Sequence, residues 1–213
     1  MVFSICEWGL NKPWLWAKNV GHLWRTTGDI RNNWDIPDAK EGKVWGGCVV
    51  INLDMQEGLA PYTDTDHWND PDMLEIGNGV LTLEEAKSQL SLWAVLAAPL
   101  MAGNDLRNMD EETRKILTNT EIIRIAQDSL GIAANKSIDE ERFEVFVKPL
   151  QNNKLSLCFF NRENNEKELH FDWKNIKVAL HYQIRDVWEH REQRLTNKAV
   201  HLKIPRHGVV HFH

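Results

Sequence analysis

The sequence predicts two regimes: an α/β region of βα units over residues 1–132, then an all-β region, an antiparallel β-sandwich, over 133–213. Three observations predict it. Short apolar runs alternate with longer helix-periodic stretches as far as about residue 130, the pattern of parallel βα units. After Gly131 the runs become short and alternating, with polar turns such as Gln151-Asn152-Asn153 and Asn164-Asn165 between them, which suits an antiparallel β domain. Acidic residues also sit at turn-like breaks just after the short runs of the first region. In parallel βα units, functional side chains gather where strands end.

Taken in order, Val2 to Cys6 reads as a buried strand. Pro13 opens a helix, because its missing N–H costs nothing in a first turn. Trp16, Ala17, Val20, Leu23 and Trp24 share one face of that helix. Thr26 to Ile30 is a short second strand. Residues 43–60, with Val49, Val50, Leu53 and Met55, form a helix ending near Gly58, and His67 to Leu74 reaches the third strand. Thr82 and Glu85 form a capping box ahead of the apolar face Ala86, Leu90, Trp93, Ala94 and Ala97, and Pro99 stops the helix. Pro99 to Ala102 reads as a fourth strand. Asp110 caps a helix through Leu117, and Thr120 to Ala126 forms another. Strands follow at Phe143–Val147, Leu155–Phe160, Leu169–Phe171, Tyr182–Val187, Ala199–Ile204 and Val209–Phe212.

Bulk properties exclude several functions. A net charge of -6 with no basic stripe argues against nucleic acid. No stretch approaches the ~18–20 unbroken apolar residues of a membrane span. Three cysteines, Cys6, Cys48 and Cys158, do not make a disulfide framework. No signal peptide opens the chain. Dinucleotide, phosphate-loop and Ser/His/Asp signatures are absent.

Seven of the ten tryptophans lie before residue 70: Trp8, Trp14, Trp16, Trp24, Trp34, Trp45 and Trp68. Trp14, Trp16, Trp24 and Trp93, on helix-like stretches, read as core. Trp8 and Trp68, beside acids at breaks, read as pocket walls. Three segments pair an acid with an indole: Cys6-Glu7-Trp8-Gly9, Trp24-Arg25-Thr26-Thr27-Gly28-Asp29, and Trp68-Asn69-Asp70-Pro71-Asp72-Met73. That pairing suits a sugar, since carboxylates accept hydrogen bonds from hydroxyls and an indole covers the apolar face of a pyranose. Glu7, Asp29 and Asp72 each fall where a strand gives way to a loop. Fully extended, Arg25 and Asp29 would lie ~13 Å apart, too far to pair, although Gly28 allows a bend; a structural ion pair is the alternative. Asp70, next to Pro71, reads as a turn-capping residue. Asp105 and Arg107 are either functional or ties for the last strand. His201, His207, His211 and His213 cluster near the end, but no supporting acid or cysteine pattern makes them a metal site.

The strings CEWG (6–9), WRTTGDI (24–30), WNDPDMLEIGNG (68–79), SLWAVLAAPLMAGNDLR (91–107) and IAQDSLG (125–131) together resemble the α-galactosidases of glycoside hydrolase family 27. The resemblance implies the C-terminal half of a (β/α)8 barrel followed by the family's β domain. It implies a retaining hydrolase of terminal α-galactosyl residues, with Asp29 as general acid/base. It implies Arg25, Asp72 and Met73 as sugar-binding residues, Glu7 as a further contact, and Cys6 and Trp8 as pocket lining. Burial near indoles would raise the Asp29 pKa, as a general acid requires. Glu7 and Leu10 stand where relatives selective for N-acetylgalactosamine carry smaller residues, which implies galactose. The bridge that some relatives make to the cysteine matching Cys6 is replaced here by Val20-Gly21-His22, so Cys6 is a free thiol. The family's Lys-Tyr-Asp nucleophile segment is absent, so the nucleophile is expected outside this chain. The resemblance implies no metal or organic cofactor, and an extracellular, periplasmic or lysosomal setting. An open half-barrel leaves unpaired sheet edges, so self-association or a complementary half-barrel chain is expected. The competing reading is a non-catalytic carbohydrate-binding fragment using Trp173 and Trp188, or an inactive truncated homologue.

Overall fold

The computed structural model describes residues 1–36, 46–140, 142–176, 183–194 and 199–213. Trp45, Tyr182 and the first three residues of the helix expected at 43–60 lie outside them.

The first region carries a parallel sheet of three short strands, β1 (Ser4–Ile5), β2 (Leu23–Arg25) and β3 (Trp68–Asp70), in the order β1-β2-β3. Two parallel bridges extend the arrangement, Ile30 to Gly47 and Leu74 to Ala102. Four helices accompany it among the described residues: α1 (Val49–Asp54), α2 (Leu83–Val95), α3 (Glu111–Leu117) and α4 (Thr120–Ala126). Asp110 caps α3 and Asn119 caps α4 through side-chain oxygens that accept backbone N–H groups.

The stretch after Pro13 is not a helix. It forms two 3-10 turns, Pro13–Leu15 and Ala17–Asn19, and then β2. Parallel pairing with β1 overrides the helical spacing. A Cβ on Gly21 would sit 3.0 Å from the Phe3 carbonyl oxygen, so the chain passes close against β1 there. The strand expected at Thr26–Ile30 therefore lies upstream, and Thr26–Asp29 is a loop. Trp16 is 46% exposed, against the core role its spacing suggests, while Trp24 and Trp93 are fully buried. The expected strand at Pro99–Ala102 reduces to the single bridge at Ala102.

Helix α2 carries both bonds of its capping box, Glu85 N–H to Thr82 Oγ1 and Thr82 N–H to Glu85 Oε2. It ends at Val95, four residues before Pro99. Ala97 turns left-handed (φ 54°), and the Ala98 N–H closes back on the Trp93 carbonyl in a Schellman-type turn.

From residue 135 on, strands dominate the described residues, with 3-10 turns at Gln151–Asn153 and Trp173–Ile176. A six-stranded antiparallel sheet runs β4-β5-β6-β11-β8-β9: β4 (Asn135–Glu140), β5 (Phe143–Leu150), β6 (Lys154–Asn161), β8 (Gln183–Asp186), β9 (Arg191–Arg194) and β11 (Val209–Phe212). A ribbon of β7 (Lys167–Phe171) and β10 (Val200–Ile204) covers one face. Between them lies a core of Val145, Phe159, Phe171, Trp173, Leu202 and Phe212, in which the Phe159 and Phe171 rings meet edge-on at 4.9 Å. The other face, with Phe146, Cys158, Phe160 and Val209, packs on α2 and shares a second core with Leu90, Trp93 and Leu74. Both faces of β5 and β6 are thus buried, so their apolar residues run nearly continuously. β4 and β9, edge strands of mostly polar residues, carry no alternating apolar signal. No helix among the described residues is long and apolar enough to cross a membrane.

Candidate active site

All three acid-indole segments run off the C-terminal ends of strands of one parallel sheet, so their acids Glu7, Asp29 and Asp72 emerge at the same end. Glu7 lies two residues past β1, Asp29 four past β2 and Asp72 two past β3. The Arg25 guanidinium stands between two of the carboxylates. Its Nη2 is 2.7 Å from Asp72 Oδ2 and 3.3 Å from Asp29 Oδ1. The extended geometry that would separate Arg25 from Asp29 is not adopted. The loop turns at Thr27-Gly28, and the same Nη2 donates to both their carbonyls at 3.2 and 3.0 Å. Gly28 permits the turn: a Cβ there would meet Gly46 Cα at 3.2 Å.

The Trp8 indole donates to Asp29 Oδ1 at 3.1 Å. Asp72 Oδ2 also accepts the Ile30 N–H at 2.7 Å, and Asp72 Oδ1 accepts the Met73 N–H at 2.8 Å. Arg25 and Asp72 side chains are 11% and 13% exposed, whereas Asp29 is 57% exposed, so the burial expected around Asp29 is absent. Glu7 turns instead to Asn11, whose N–H and side-chain amide both donate to Oε2 at 2.8 Å. Its Oε1 is buried with no hydrogen-bond partner. Cys6 is a free, exposed thiol. Met73 lies half-buried against the main core. The structure thus brings Trp8, Arg25, Asp29 and Asp72 together, with Met73 on the last by its backbone. Glu7 and Cys6 stand beside them on the β1 loop.

Asp70 closes a turn under Asp72, its Oδ1 accepting the Asp72 N–H at 2.9 Å. Burial pushes its carboxyl up to about 6, against the opposing pull of that N–H and of Arg25. Two groups read from the sequence only as core or left unread also shape the site. The Trp93 indole donates to the Asp72 carbonyl at 2.8 Å, and Asn52 Nδ2 reaches both loops, Thr27 Oγ1 at 3.1 Å and the Pro71 carbonyl at 2.8 Å. An indole on an apolar helix face still has an N–H to satisfy, which was the available signal for Trp93. Nothing local marks Asn52. Gly47→Ala tests this packing: its Cβ would lie 1.7 Å from Asn52 Oδ1. A loss of about 1–3 kcal/mol in chemical denaturation is expected; wild-type stability would contradict it.

The remaining expectations resolve elsewhere. Trp68 lines an apolar cavity with Leu23, Leu74, Leu90 and Pro99, away from the acids. Asp105 and Arg107 pair with each other at 2.9 Å on the surface. The histidines are dispersed. His207 meets Glu85 at 2.7 Å, His201 lies 3.8 Å from Glu168, and His213 lies 3.6 Å from Glu121. His211 is buried against Ser156 Oγ at 2.6 Å. Among the described residues, no group of three or more His, Cys, Asp or Glu side chains could hold a metal. Trp173 is buried in the sandwich core, which closes it to a sugar, while the half-buried Trp188 packs on the main core and donates to Ser91 Oγ.

Residues 1–128 match the family described as alpha galactosidase A, and residues 140–213 match the alpha galactosidase C-terminal beta sandwich domain. The chain belongs to the α-galactosidase family. It is 44% identical to alpha-galactosidase A of Cellvibrio japonicus, covering 99% of this chain and 54% of that protein. It is 37% identical to the alpha-galactosidase of Cyamopsis tetragonoloba, covering 97% and 48%. Alpha-galactosidase I from Mortierella vinacea superposes with a TM-score of 0.92 at 28% identity, over 100% of this chain and 57% of that one. The chain therefore spans about half the length of these α-galactosidases. Its fold is the C-terminal half of their (β/α)8 barrel with the antiparallel β domain attached.

Proposed function

We propose that this chain is the acid/base-bearing portion of a retaining α-galactosidase that hydrolyses terminal α-D-galactosyl residues. The supporting observation is the convergence on one guanidinium: Arg25 holds Asp29 and Asp72, the ends of two neighbouring parallel strands, while Trp8 holds Asp29 from a third. In this reading Asp29 protonates the departing glycosidic oxygen and later deprotonates the attacking water. Arg25 and Asp72 bind sugar hydroxyls, Trp8 covers an apolar sugar face, and Glu7, Cys6 and Met73 line the pocket.

The nucleophile belongs to the half of the barrel that the relatives have and this chain does not span. It should stand ~5–5.5 Å from Asp29. Exposed apolar side chains on and beside β1, among them Val2, Phe3, Leu15, Trp16 and Val20, support a complementary half-barrel or a second copy docking there. Such docking would also bury Asp29. At micromolar concentration, light scattering should report an assembly; a monomer would speak against self-association.

The deciding experiment is turnover of an aryl α-galactoside, by this chain alone and with the complementary half supplied. Asp29→Asn should lower turnover by roughly 10²–10⁴-fold while saturable galactose binding persists, as expected for loss of a general acid/base. Galactose binding without turnover in either preparation, indifferent to Asp29→Asn, would instead indicate a binding fragment.

A further inference from the structure

The two loops that carry the candidate sugar-binding acids are joined in two different ways. One way runs through the acids themselves, with Arg25 and the Ile30 N–H both on Asp72 Oδ2. A hydroxyl arriving at Asp72 competes with those bonds. The other way avoids the acids. Asn52, in the middle of α1 and fully buried, donates from one Nδ2 to Thr27 Oγ1 and to the Pro71 carbonyl. Thr27 lies two residues before Asp29, and Pro71 immediately before Asp72.

The orientation of the amide follows from its partners. A carbonyl oxygen only accepts, so the group facing Pro71 must be the NH2, and the Thr27 hydroxyl can accept the second proton. Asn52 Oδ1 then points toward Gly47, where it is buried without a hydrogen-bond partner and where any Cβ would collide with it. Buried polar groups are mostly satisfied, so this oxygen is an exception that calls for a physical reason. The helix also fixes where Asn52 stands. The Asn52 carbonyl accepts from Gln56 Nε2 at 2.9 Å, and Thr26 Oγ1 lies 3.0 Å from Gln56 Oε1. The loop after β2 is thus held twice from one face of α1.

We propose that Asn52 is a positioning residue that sets the spacing between the Asp29 and Asp72 loops and keeps it when a sugar engages Asp72. The sugar part of this statement rests on the galactosidase reading above; the loop spacing does not. Two indoles report on the two loops separately, since Trp8 donates to Asp29 and Trp93 to the Asp72 carbonyl. Trp173, in the sandwich core, serves as a control.

The test records indole N–H resonances of 15N-labelled protein, assigned by single Trp→Phe changes, with and without galactose. Asn52→Leu should move the Trp8 and Trp93 signals and leave Trp173 in place. Thr27→Val, a milder change that retains the fold if Asn52→Leu does not, should move Trp8 alone. The galactose midpoint read at Trp8 should rise about tenfold in Asn52→Leu, the equivalent of one buried hydrogen bond. Unmoved Trp8 and Trp93 signals in Asn52→Leu, an unmoved Trp8 signal in Thr27→Val, or an unchanged galactose midpoint in an Asn52→Leu protein whose signals have moved, would overturn the proposal. If Asn52→Leu shifts both indoles and Thr27→Val shifts Trp8 as expected, but galactose leaves the wild-type Trp8 signal untouched, the spacing role stands and the galactosidase reading fails.

Discussion

Truncating Trp93 to alanine is expected to lower the unfolding free energy by about 3–5 kcal/mol. The side chain is fully buried in the core shared by α2 and the six-stranded sheet. Its loss leaves a cavity between two layers whose hydrogen bonds, such as Ser88 Oγ to the His207 carbonyl and Trp188 Nε1 to Ser91 Oγ, lie around that core. It also leaves the Asp72 carbonyl without the indole N–H that reaches it at 2.8 Å. Asp72 holds a φ of 84°, a region that disfavours a residue with a side chain, so its loop depends on outside support. Trp93→Phe separates the two effects. It keeps most of the bulk and removes the donor, and should cost about 1–3 kcal/mol. Urea denaturation checks both, through a lowered midpoint at unchanged slope. A phenylalanine variant as stable as wild type would mean the indole bond contributes nothing.

The second large effect is a pair of opposing acid responses. Burial holds the His211 imidazole down to about 3, with the neighbouring His213 adding to the shift. The unfolded chain binds that proton near pH 6.5 and the folded one does not, so stability falls as pH drops from 6.5 toward 3. By about pH 4.5 the loss is about 3 kcal/mol. Asp70 works in the other direction. Its folded carboxyl titrates at about 6 against an unfolded value of 3.8, so its contribution is fully present below 3.8 and is lost as pH rises through 6. Over the same acid range it returns about 2 kcal/mol. These two contributions should therefore largely offset each other between pH 6.5 and 4.5. Asp70→Asn should expose a steep acid loss, and His211→Gln should make the protein more stable in acid than at neutrality. Denaturation midpoints across that range check this. Parallel pH curves for the two variants would show that neither group titrates as its burial requires.

The candidate site was legible in part because its chemistry is local in sequence. Glu7-Trp8, Arg25 to Asp29, and Asp70 to Met73 each lie within a few residues at a strand end. What sequence spacing misjudged was the path between residues. The loop at Thr27-Gly28 folds Arg25 back onto Asp29, where an extended strand would have parted them. The 13–24 stretch has helical spacing, yet it becomes two 3-10 turns and a strand, because pairing with β1 outweighs a short amphipathic pattern. Edge strands β4 and β9 carried no signal, since an edge facing water needs no apolar alternation.

The sequence by itself determined the helices α2, α3 and α4, the caps of the first two, the change from βα units to antiparallel strands, and which acids stand at strand ends. Those features depend on neighbours three or four residues apart, and such contacts are encoded locally. Only the tertiary structure decided that one guanidinium is shared by Asp29 and Asp72, that Asn52 spans their loops, and that Asp29 stands open to solvent. These depend on residues tens of positions apart meeting through packing. Their partners are fixed by which surfaces are buried together.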